Sequence, residues 1–182
     1  MTREAQKALE AAWKSEKRGE NEYQKRATAI GNPLGKVTFH TLALRQKKYL
    51  ETIRKVHAAL QTGNGGLIPK IRFPTFSPVS ALVKQILTKT RQPRPDDVES
   101  NHGTLFRTYL WALRFEERSW AAYTREAKRS HGELVEKLLH FLQRQKGEHY
   151  RILDETLACC HASNPVATES DRHAPFQKEK SL

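Results

Sequence analysis

Phe39, Leu42, Gln46, Tyr49, Ile53, Val56 and Leu60 follow one another at alternating spacings of three and four, without a break. A helix with one buried face explains that pattern, because a period of about 3.6 residues returns such positions to a single stripe. Three more segments carry it. One runs through Leu9, Ala12, Glu16, Tyr23, Ala27 and Ile30, and another through Leu105, Tyr109, Ala112, Glu116, Tyr123 and Ala127. The last runs through Val135, Leu139, Leu142, Lys146, His149, Leu153 and Cys160. Four such helices cover one another's stripes when they pack side by side, so the expected fold class is all-α, a four-helix bundle.

Breaks in the pattern set the boundaries. Gly31-Asn32-Pro33 ends the first stripe, and Gly63-Asn64-Gly65-Gly66 ends the second. Helices are predicted near 3–30, 34–61, 104–130 and 133–161. Residues 61–103 hold four prolines before Arg94 and one short apolar-periodic piece around Val79 to Leu87. That is longer than a link between adjacent antiparallel helices needs, so it is read as a crossover with one short helix, running from one end of the bundle to the other. Such a crossover is a ferritin-like feature. Residues 1–162 are read as one domain, and 163–182, with Ser163-Asn164-Pro165 and a QKEKSL end, as a mobile polar tail.

Composition narrows the function classes. The chain has 182 residues, 37% hydrophobic and 29% charged, which suits one domain whose helices each bury one stripe. No apolar run reaches the roughly 20 residues of a spanning helix, and MTREAQKALEAAW lacks a signal peptide's apolar core, so a cytoplasmic protein without a membrane partner is expected. Cys159 and Cys160, the two cysteines, are adjacent, where a bridge would be strained and would staple nothing; they are read as reduced thiols. Nor can they supply a CxxC…CxxC iron or zinc module. The net charge of +12 would favour nucleic acid as a partner, but the basic residues are spread over all four helices with acids between them. A solvated basic surface accounts for that distribution.

The polar residues on the stripes carry the chemistry. At an offset of 100, Ala12, Glu16, Arg18, Tyr23 and Ala27 meet Ala112, Glu116, Arg118, Tyr123 and Ala127. A Glu on a buried seam is costly unless it meets a metal, a cation or hydrogen-bond donors. Glu16 and Glu116 each lie thirty residues before a second inward polar position, a distance that lets the next helix return to the same level. There the second helix offers Gln46 and Tyr49, and the fourth Lys146 and His149, each pair three apart on one face. All six are expected to converge on one level of the interior, with the Lys146 ammonium between the two glutamates. Tyr23, Tyr123 and Trp13 are read as core aromatics, and His40, His57, His131 and His140 as surface or packing residues.

The stretch Ala12 to Val56, with EKRGENEY and then GNPLGKVTFHTLALRQKKYLETI, resembles the first helical hairpin of the rubrerythrin family, and Ala112 to Leu153, with Glu116, Tyr123 and EHYRIL, resembles the second. The likeness spans roughly residues 9–160 and implies a ferritin-like bundle with a carboxylate-bridged di-iron centre, commonly paired into homodimers. This chain departs from the family's ligand set. Gln46 and Tyr49 stand where the family has Glu and His, Lys146 stands for a second Glu, and Leu113 for an accessory Glu. Glu16, Glu116 and His149 remain as metal-ligand positions. A register shift in the fourth helix would turn Gln145 and Glu148 inward instead, at the cost of taking His149 and Leu153 off the stripe. Glu20 or Glu117 could complete a single-metal site, though the simpler reading makes them surface charges.

Two carboxylates cannot offset two irons as four or five can, and a lysine ammonium in the cage repels them further. The expected function is therefore a non-redox binding or structural relative of the rubrerythrins, holding no metal or a single ion. The alternative is a metal-dependent oxidoreductase, reducing peroxide or oxidising iron at an altered site, with two irons if the family activity is kept. A basic helical protein that binds nucleic acid non-specifically rests on the charge alone.

Overall fold

The computed structural model describes residues 1–62, 71–90, 102–129 and 132–162. These form five helices and no strand: α1 (Arg3–Ala29), α2 (Pro33–Thr62), α3 (Val79–Lys89), α4 (His102–Ala127) and α5 (Glu133–Ala162). Local chemistry sets the ends. The Thr2 hydroxyl accepts from the Ala5 amide at 3.1 Å to cap α1, and Asn32 Oδ1 accepts from the Gly35 amide at 2.9 Å, with Pro33 opening α2. Gly132, at φ +89, turns the chain into α5 through a conformation that side chains with a Cβ rarely adopt. Residues 163–182 and His131 lie outside the described residues, as do parts of the connection after α2.

Contacts fix the direction of each helix. Arg54 lies over Trp13 and Gly19 abuts Gln46, so α1 and α2 form an antiparallel hairpin. Gln143 Nε2 donates to Thr124 and His149 meets Glu116, so α4 and α5 form another. Tyr123 reaches Glu16 while Tyr23 reaches Glu116, which makes α1 and α4 antiparallel as well. The order is therefore up, down, down, up, and the link from α2 to α4 has to travel the length of the bundle. Its described parts do so: Phe73 and Phe76 pack beside Phe141 and Tyr49, while Val79, Val83 and Ile86 of α3 join the core at the other end. None of the described helices is long and apolar enough to cross a membrane.

The core is divided in two. One cluster gathers Phe39, Leu42, Tyr109, Ile152 and Leu153; the other gathers Leu9, Ile53, Val56, Leu138 and Leu139. Between them lies a layer of polar side chains.

Candidate buried charge centre

All six residues singled out by phase meet in that layer, each fully buried: Glu16, Gln46, Tyr49, Glu116, Lys146 and His149. Lys146 reaches inward from α5 and places its Nζ 2.7 Å from Glu16 Oε2 and 3.6 Å from Glu116 Oε2. The ammonium thus sits between a carboxylate of α1 and one of α4. Gln46 closes the third side. With its carbonyl oxygen toward the ammonium it accepts from Lys146 Nζ at 2.9 Å, and its NH2 donates to Glu16 Oε2. That amide orientation is the one that satisfies both ends.

The remaining donors come in two matched pairs. Tyr123 donates to Glu16 Oε1 at 2.5 Å, and Tyr23 donates to Glu116 Oε1. Each tyrosine serves the glutamate of the opposite hairpin, because α1 and α4 run antiparallel and each Tyr follows its own Glu by seven residues. His149 Nδ1 lies 3.1 Å from Glu116 Oε1, and its Nε2 lies 2.8 Å from the Tyr49 hydroxyl. That hydroxyl is also 3.2 Å from Gln145 Oε1.

Burial and these contacts set the protonation states. Burial lowers the His149 imidazole to about 4, so at neutral pH it is uncharged. Its single N–H then faces the carboxylate, and Nε2 accepts from Tyr49. Burial pushes the Tyr23, Tyr49 and Tyr123 phenols well above their ordinary value, which keeps them as donors. The two glutamates diverge. Burial raises Glu16, against the pull of Lys146; at Glu116 burial is outweighed by Lys146, His149 and Tyr23, and the carboxyl is lowered.

This donor set does not fit a di-iron centre. The space between the carboxylates holds an ammonium, the His149 lone pair is taken by Tyr49, and Glu16 already accepts from Lys146, Tyr123 and Gln46. Among the described residues no group of three His, Cys, Asp or Glu side chains is arranged to hold a metal ion. Glu20 pairs with Lys17 at 2.6 Å on the outside of α1, away from the layer. His40 and His140 are exposed.

Three more residues serve this neighbourhood beyond the six. Tyr23 and Tyr123 are core aromatics, as read, but they also carry the donors that the glutamates need. Arg45 is 5% exposed, with its Nη2 donating to Glu148 Oε2 at 3.3 Å. His149 and Leu153 keep their place on the stripe at zero exposure, so α5 has not shifted register, although Gln145 is buried beside it. No protein-family model, curated protein or solved structure matches the chain.

Proposed function

We propose that this chain is a ferritin-like bundle, akin in plan to the rubrerythrins, in which the Lys146 ammonium supplies the positive charge that a metal pair supplies in that family. On this reading it is a non-redox protein with a binding or structural role. The observation that carries it is the position of Lys146 Nζ, 2.7 Å from Glu16 and 3.6 Å from Glu116 with no solvent at any of the three. One fixed cation there offsets the buried carboxylates without a labile ion.

Metal analysis of protein purified without chelators, together with an assay of ferrous oxidation, tests it. Substoichiometric metal and no oxidation above the buffer rate are expected. About two irons per chain, or turnover of ferrous iron or peroxide, would overturn it in favour of the oxidoreductase.

A further inference from the structure

On the outer side of α2, where the extended stretch 71–78 and the start of α3 lie against it, the surface is concave. The groove has a volume of about 440 Å³ and is lined by Leu44, Arg45, Lys47, Lys48, Phe76 and Leu82, among others. Sites for small molecules run from roughly 300 to 1,000 Å³. Its lining combines apolar side chains with basic ones, with Glu51 as the sole acidic residue and that residue already paired to Lys48 at 3.3 Å.

Two side chains here stand out by their exposure. Leu44 is 53% exposed, although large apolar side chains elsewhere in α2 are covered. Arg45 is the opposite case, a guanidinium taken out of water. Its Cζ lies 4.4 Å from the centre of the Phe76 ring, one nitrogen reaches Glu148, and Nη1 is buried with no acceptor among the described residues. An unsatisfied buried donor on a charged group is costly, and an anion is the partner that answers it best. Inorganic phosphate would leave the Leu44, Phe76 and Leu82 wall wet, and a neutral hydrocarbon would leave Arg45 unanswered.

We propose that this groove binds an anionic amphiphile, an aliphatic monocarboxylate whose head group is taken by Arg45 with the neighbouring lysines and whose hydrocarbon chain lies on Leu44, Phe76 and Leu82. The site is joined to the buried layer. Glu148, the partner of Arg45, accepts from Gln145 Nε2 at 3.3 Å, and Gln145 Oε1 is 3.2 Å from the Tyr49 hydroxyl that reaches His149. A carboxylate that competes with Glu148 for Arg45 therefore acts beside that layer, next to Gln145, whose Oε1 competes with His149 Nε2 for the single Tyr49 proton.

Calorimetric titration of the full chain with decanoate, below the concentration at which it forms micelles, tests the proposal. One saturable site is expected, with decanol and inorganic phosphate each weaker by about tenfold or more. Leu44→Asp, at an exposed position that leaves the core intact, should weaken decanoate by about tenfold or more, and Arg45→Gln likewise. If Arg45→Gln fails to fold, Leu44→Asp decides. No saturation with the unaltered chain, equal binding of decanol, tight phosphate binding in place of decanoate, or unchanged affinity in Leu44→Asp would each overturn it.

Discussion

Lys146 Nζ and Glu16 Oε2 meet at 2.7 Å with neither side chain touching solvent. Removing one partner of such a pair leaves the other as an uncompensated buried charge. Lys146→Ala should therefore destabilise the fold by about 3–5 kcal/mol at neutral pH, read from urea unfolding curves. An unchanged midpoint would mean that Glu16 and Glu116 are held by something other than this ammonium.

Two of the glycines within long helices, Gly19 and Gly147, should respond in opposite directions. A Cβ on Gly19 would stand 2.7 Å from the end of the Gln46 side-chain amide and 3.2 Å from Phe115, so Gly19→Ala must push Gln46 off its bridge between Glu16 and Lys146. A loss of about 1–3 kcal/mol is expected, the range for overpacking. Gly147, in α5 next to Lys146, would meet nothing within 4 Å. Gly147→Ala should stabilise by about 0.5–1 kcal/mol, the helix-propensity difference. Thermal melts of the two variants check the pair, and a common sign would contradict the packing described for Gln46.

Acid should weaken the fold through His149. Its value is about 4 in the folded chain against an ordinary 6.5, so the unfolded chain takes up the proton first as pH falls. Stability from this group is whole above the ordinary value and is lost on the way down to about 4, by at most about 3 kcal/mol. Glu16 works the other way: its raised value makes its contribution greatest in acid and smaller as pH rises through that value. Nitrogen-15 chemical shifts of His149 separate the two. They should report a neutral ring with the proton on Nδ1 throughout neutral pH, and titration near 6.5 would count against a buried imidazole.

The Tyr pair offers a test of the crossed hydrogen bonds. Tyr123→Phe takes one of three donors from Glu16, and Tyr23→Phe takes one from Glu116, with the rings otherwise in place. Each should cost about 1–3 kcal/mol, as expected when a buried acceptor loses its donor. Losses near zero by chemical denaturation would show that the hydroxyls are incidental to the carboxylates.

Periodicity alone placed Glu16, Glu116, Gln46, Tyr49, Lys146 and His149 on one level, because each lies on a stripe and antiparallel hairpins bring equal distances from the turn together. The long crossover was legible too, since 61–103 exceeds what neighbouring helices need. The hydroxyls of Tyr23 and Tyr123 were less so: an aromatic on a stripe is satisfied by packing, and only the antiparallel pairing of α1 with α4 sets each one opposite the other hairpin's Glu. Arg45 was hidden for a different reason, and Gln145 was reached only through a register shift that α5 has not made. Both flank the stripe, and what covers the flank of α2 at Arg45 is Phe76, whose position depends on the path of the crossover. No local pattern encodes that path.

Charge reversal at the centre separates a fixed cation from a metal site. Lys146→Glu would set a third carboxylate beside Glu16 and Glu116, with Gln46 and His149 still at the same level. Three buried acids without a cation repel one another, so the variant should be less stable than Lys146→Ala in chelator-treated buffer at neutral pH. A divalent ion that binds only the folded state would then restore stability with the logarithm of its concentration, by about 2.7 kcal/mol at a hundredfold excess over its dissociation constant. Zinc or ferrous iron should therefore raise the melting temperature of Lys146→Glu and leave that of the unaltered chain where it was, since there the ammonium already fills the place. Stabilisation of the unaltered chain by the same ions would mean that Lys146 yields to metal, and the reading of this layer as a metal-free charge centre would fall with it.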